Sequence, residues 1–145
     1  MEMPRPVENR WQELRRRQQH AIGDESDPVR RIELGIRATM SWLQENRHLS
    51  TLFQFAATED RFAPSLRRGG EVAVSDVVRH VKEGIVEGRM RDEDPMVLTQ
   101  AILSVTNGLA RAFILERGEP AERVADAAVS FCLHGLLGVK EPAPL

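Results

Sequence analysis

The chain has 145 residues, 41% of them hydrophobic, which suits one domain able to close a core without disulfides or structural metal. Its 20 Lys and Arg nearly cancel 22 Asp and Glu, for a formal charge of -2, and that balance disfavours a surface built on phosphate contacts. Cys132 is the lone cysteine, which excludes an intrachain disulfide and a multi-cysteine metal site and fits a reducing cytoplasm.

Apolar residues recur at helical spacing through most of the chain, and alternating β-type runs are nearly absent. An all-α fold is expected. Residues 1–26 read as an N-terminal segment: a frayed start with Pro4 and Pro6, then a mostly polar helix from Glu8 to Ile22 that stops at Gly23, Asp24 and Ser26. Its Arg15-Arg16-Arg17 run reads as a solvated face rather than a phosphate-binding strip. Asp27-Pro28 is a helix start, because the carboxylate accepts first-turn N–H bonds and proline sits where its missing N–H is not needed. That helix runs to about Asn46, burying Val29, Ile32, Ile36, Met40 and Leu43, with Ala38 and Trp42 turned toward a second neighbour. A shorter helix follows in which Leu49, Leu52, Phe53, Phe55, Ala56 and Ala57 wrap nearly all round, as expected at the centre of a bundle.

Pro64 opens the next helix, which reaches about Arg89 and sets Val74, Val77, Val78, Val81 and Ile85 on one side. Gly69-Gly70 weakens this helix without dividing it. Asp94-Pro95 repeats the Asp-Pro cap and begins a helix to about Arg117 with the stripe Leu98, Ile102, Val105, Leu109 and Phe113. The last helix, Pro120 to Gly138, carries two apolar stripes: Val124, Ala128, Phe131 and Gly135 on one, Ala125, Val129, Leu133 and Leu136 on the other. Two apolar faces need two partners, and in so small a domain one of them is expected to be a second copy of the chain. Residues 139–145, with Pro142 and Pro144, form a tail. No secretory leader or uninterrupted apolar run of membrane-spanning length is visible, so a cytoplasmic protein without a membrane partner is expected.

The stretch KEGIVEGRMRDEDPMVLTQAILSVTNGLARAF, Lys82 to Phe113, resembles the centre of the regulatory domain of TetR-family transcriptional regulators. In that family a helix ending in two glycines four residues apart leads through a short acidic loop to an Asp-Pro cap and a long apolar helix. Gly84, Gly88, Asp94 and Pro95 match that order. DPVRRIELGIRATMSWLQENRHLSTLFQFAATED resembles the preceding helix pair, and AERVADAAVSFCLHGLLG the last helix. The resemblance spans residues 27–138. It implies an antiparallel bundle of about five to six helices, a homodimer through the last two long helices, and a small apolar or aromatic effector bound among the earlier ones. It also implies a three-helix DNA-binding domain, which nothing before Glu8 is long enough to encode. The Glu8 to Ile22 helix would then match the end of the helix that connects the two domains, and DNA would be reached only through a helix-turn-helix this chain lacks.

On that basis an effector pocket is expected from Met40, Trp42, Phe53, Phe55, Val78, His80, Val81, Ile102, Thr106, Asn107 and Phe113. Ordinary core packing accounts for any one of the apolar members. Thr106 and Asn107 say more: they interrupt an apolar helix, and a buried hydroxyl or amide must find a ligand, a backbone carbonyl or water. Arg111 reads as an exposed or interface salt-bridge partner. The dimer interface is assigned to Ala110, Ala125, Ala128, Val129, Leu133 and Leu136, several of them small enough for close helix approach.

An enzyme is not expected. Glu45 and His48 have Glu-x-x-His spacing and His80 pairs with Glu83, but carboxylate-bridged dimetal bundles need two such motifs in one orientation plus further inward glutamates. Cys132 reads as a buried structural thiol, and no phosphate loop or serine-nucleophile motif is present. Neither metal nor cofactor is expected. The alternative is a helical dimerisation or partner-binding module without a small-molecule pocket.

Overall fold

Helix starts follow the two Asp-Pro pairs. In the computed structural model, which describes residues 5–48 and 63–138, Asp27 accepts a 2.9 Å hydrogen bond from the Val29 N–H, and Asp94 accepts one of 2.9 Å from the Met96 N–H. Proline holds the first helical position in both. The described residues form five helices: α1 (Arg5–Ile22), α2 (Pro28–Glu45), α3 (Ala63–Val86), α4 (Pro95–Leu109) and α5 (Ala121–Leu137), with a π-helical turn (Ala110–Leu115) continuing α4. No strand occurs among them. The apolar helix expected over residues 49–57, with Phe53 and Phe55, and the tail over 139–145 lie outside the described residues.

Helix α3 runs unbroken through Gly69 and Gly70, as expected. Its end depends on two other glycines. A Cβ at Gly84 would lie 2.6 Å from the Met90 sulfur, so the buried Met90 side chain packs directly on this glycine. Gly88 stops the helix at φ +71°, a left-handed conformation that glycine adopts without strain. The returning loop is pinned by the Arg91 N–H donating to the Leu136 carbonyl at 2.7 Å and by Arg89 donating to Asp27 at 2.8 Å.

Helix α2 is the hub, packed against α1, α3, α5 and the π turn. Its stripe of Val29, Ile32, Ile36 and Met40 belongs to one buried core with Val81 of α3, Leu98 and Ile102 of α4, Ile114 of the π turn, and the buried face of α5. Helix α4 with its π extension, Pro95–Leu115, is long and apolar enough to cross a membrane by length and composition. It packs against α3 and α5, and an apolar core helix of a bundle meets the same description.

The last helix distributes its two stripes differently from the sequence expectation. Ala110, Ala125, Ala128, Val129 and Leu136 are buried within the chain's own core, and Leu133 is half-buried against it. Neighbouring helices of the same chain already cover these side chains, so a second copy would not meet them first. Its outward positions are instead Glu122, Arg123 and Asp126 in the first turns and Ala127, Ser130, Phe131, His134, Gly135 and Leu137 beyond them. Phe131 is 68% exposed.

Candidate functional site

Where α1 crosses α2, α3 and α4, their facing side chains are too small to fill the gap. Gly35 of α2 and Gly69, Gly70 and Ala73 of α3 all face the space, and a Cβ built on Gly70 meets no atom within 4 Å. The result is a cavity of about 780 Å³, within the range of small-molecule sites. Its floor is apolar and buried, from Ile32 and Ile36 of α2 and Ile102 of α4. One wall is α1, whose Trp11, Leu14, Gln18 and Ile22 recur at helical spacing on one face. At Gly69 a Cβ would sit 3.8 Å from the Trp11 ring, an ordinary van der Waals approach that shows how closely α3 backs the indole. Exposed Gln19, Asp24, Gly70, Arg79 and Asn107 mark its mouth.

Polar groups around the wall bond mostly to one another. Gln18 donates to the Thr39 hydroxyl at 2.8 Å, and Thr39 donates to the Gly35 carbonyl at 2.8 Å. Arg15 holds both Asp76 oxygens, at 2.9 and 3.0 Å, tying α1 to α3. Arg31 donates to Glu83 at 2.7 Å and, through Nε, to the Glu25 carbonyl. His80 is different. Its Nδ1 is buried with no hydrogen-bond partner among the described residues. Burial, reinforced by Arg31 and Arg79, holds the imidazole pKa below its ordinary 6.5, so the ring is uncharged at neutral pH.

Of the residues nominated from sequence, the structure brings His80, Ile102, Thr106 and Asn107 to this wall. Thr106 is buried and donates to the Ile102 carbonyl one turn back at 2.8 Å, so its own helix satisfies the hydroxyl. Asn107 is exposed at the rim rather than buried. Met40, Trp42 and Val81 are fully enclosed and do not line the cavity. Met40 and Val81 belong to the central core, while Trp42 donates to Glu13 of α1 at 3.4 Å. Val78 and Phe113 are half-buried away from the wall, Phe113 lying under the Arg117 guanidinium at 4.7 Å. Phe53 and Phe55 are outside the described residues.

The missed lining is largely α1 and the glycines. The Trp11, Leu14, Gln18, Ile22 spacing was a usable signal, obscured by the high charge of the rest of that helix. Arg15 and Arg17 are engaged by Asp76 and Glu45. The carboxylates of the two His-Glu pairs are engaged as well, Glu45 by Arg17 and Glu83 by Arg31. Among the described residues no three His, Cys, Asp or Glu converge on a point that could hold a metal. Cys132 is buried, and burial pushes its thiol above its ordinary 9.0, which makes it a poor nucleophile.

No protein-family model matches the sequence, and no curated protein matches it. Among solved structures, the chain is similar to a protein of unknown function from Rhodococcus sp. RHA1, at 22% sequence identity and a TM-score of 0.74. That match covers 90% of this chain and 69% of the other. It shows a shared all-helical fold.

Proposed function

We propose that the chain is the effector-binding and dimerising part of a TetR-like transcriptional regulator. The observation that carries this reading is the cavity of about 780 Å³ between α1, α2, α3 and α4, with an apolar floor and a rim of polar groups. Helix α1, which resembles the end of the family's connecting helix, forms one wall. A ligand that favoured one position of α1 would shift the balance between two subunit arrangements by its difference in affinity for them. No DNA contact is assigned to residues of this chain.

The homodimer belongs to the same proposal, through outward faces of α4 and α5 rather than the buried ones. Met96, Val97, Phe131 and Leu137 are exposed there. In a chain that is 29% charged, the exposed positions of α5 from Ala127 to Leu137 hold no Asp, Glu, Lys or Arg, the charge depletion typical of an interface core. Ala127, Ser130 and Gly135 beside Phe131 leave room for an identical helix.

Titration of the neutral fluorophore N-phenyl-1-naphthylamine tests the sensing reading. Saturable binding by the wild type and its loss in a folded Gly70→Phe variant are expected, because the new ring enters the open space; absence of saturable binding by the wild type would refute it. For the dimer, light scattering of Phe131→Asp should give half the wild-type mass. A monomeric wild type, or an unchanged mass in the variant, would remove α5 from the interface.

A further inference from the structure

The charged groups deep in the wall come already paired. Arg31 is held by Glu83 and by the Glu25 carbonyl, and Asp76 by Arg15. A ligand carboxylate would have to displace Glu83 from Arg31 while facing Asp24, Glu25 and Asp76, which line the same space. A ligand ammonium would find the Glu83 and Asp76 carboxylates neutralised by their arginines. Of the other charged groups of the wall, Arg79 and Asp24 are exposed at the mouth, where water screens them, and the half-buried Glu25 carboxylate accepts from the Asp27 N–H at 3.2 Å. The Gln18, Thr39 and Thr106 side chains are bonded within the protein. Among the described residues of the wall, His80 Nδ1 is a buried nitrogen without a hydrogen-bond partner.

We propose that the cavity selects an uncharged amphipath, an apolar body lying on Ile32, Ile36 and Trp11 with a single hydroxyl-type group bonded to His80 Nδ1. This rests on the sensing reading above and adds the chemistry of the ligand's head. A neutral imidazole carries one N–H and one lone pair, and a hydroxyl can serve either tautomer as acceptor or donor. A buried polar atom lacking a partner is costly, and a ligand that supplies the partner recovers that cost on binding.

Displacement of N-phenyl-1-naphthylamine by 1-decanol, decanoate and decylammonium tests the head group at constant chain length. Decanol should displace at concentrations about tenfold lower than either ion. With each variant's own affinity for the fluorophore measured first, His80→Phe should weaken decanol about tenfold, the effect of one hydrogen bond, and His80→Gln should restore much of the loss. Either ion matching decanol, or His80→Phe leaving decanol unaffected, would overturn the proposal while the cavity reading stands. Failure of the fluorophore to bind the wild type would overturn both.

Discussion

Gly69 and Gly70 hold α3 below its attainable stability. Both lie inside the continuous helix Ala63–Val86, and neither has a positive φ, so alanine fits the backbone at each. In a helix interior glycine costs about 1 kcal/mol relative to alanine, because it surrenders more backbone freedom on folding. No steric penalty offsets that gain: the new methyl at Gly70 meets no atom within 4 Å, and the one at Gly69 sits 3.8 Å from the Trp11 ring. Adjacent helical positions do not face each other, so the two gains should add to about 2 kcal/mol. For a chain of 145 residues, roughly 4 °C per kcal/mol puts the Tm of Gly69→Ala/Gly70→Ala roughly 8 °C above wild type. Thermal unfolding followed by circular dichroism measures it. An unchanged or lowered Tm would mean that these residues are not helical, or that the space beside Gly70 is occupied, and either result would undo the account of the cavity. A natural sequence that keeps two glycines here forgoes stability for open volume.

Met40 is fully enclosed where α2 meets the core, and Met40→Ala should lower stability by about 3 kcal/mol through lost burial and the void left behind, read as a lower urea midpoint with unchanged slope. Asp94→Ala removes the exposed cap of α4 and should cost about 1 kcal/mol. Asp27→Ala should cost more, because Asp27 also receives the Arg89 guanidinium. The folded pKa of His80 lies below its ordinary 6.5, so the unfolded chain binds the extra proton first. Its stabilising contribution is complete above pH 6.5 and falls away as the pH drops from there through the folded value. Urea midpoints between pH 7 and 5 should therefore decline in the wild type and decline less in His80→Phe. Carboxylates such as Glu45, which Arg17 holds below 4.5, come into play only at lower pH.

The elements that sequence made legible are those whose cause is local. Asp27-Pro28 and Asp94-Pro95 begin helices because cap and proline act within one turn, and both caps form as expected. The α2 stripe from Val29 to Met40 is buried because a helical period can bury only one face against a neighbour. His80 and Ile102 could be nominated for the cavity from residue type and helix face, and both reach it.

Pairing between helices was not legible in the same way. The period of α5 showed two apolar stripes without showing which one the chain would use itself. Only packing against α2 and α4 settled that Ala125, Ala128, Val129 and Leu136 face inward while Phe131 faces out. Likewise an all-helical chain with a lone cysteine and balanced charge could be read from composition and spacing, because those properties belong to residues taken singly or a turn apart. The cavity could not. It exists because Gly35 of α2 and, far from it in the chain, Gly69, Gly70 and Ala73 of α3 border one space beside α1, and a gap between side chains is a property of their three-dimensional arrangement that no single helix encodes.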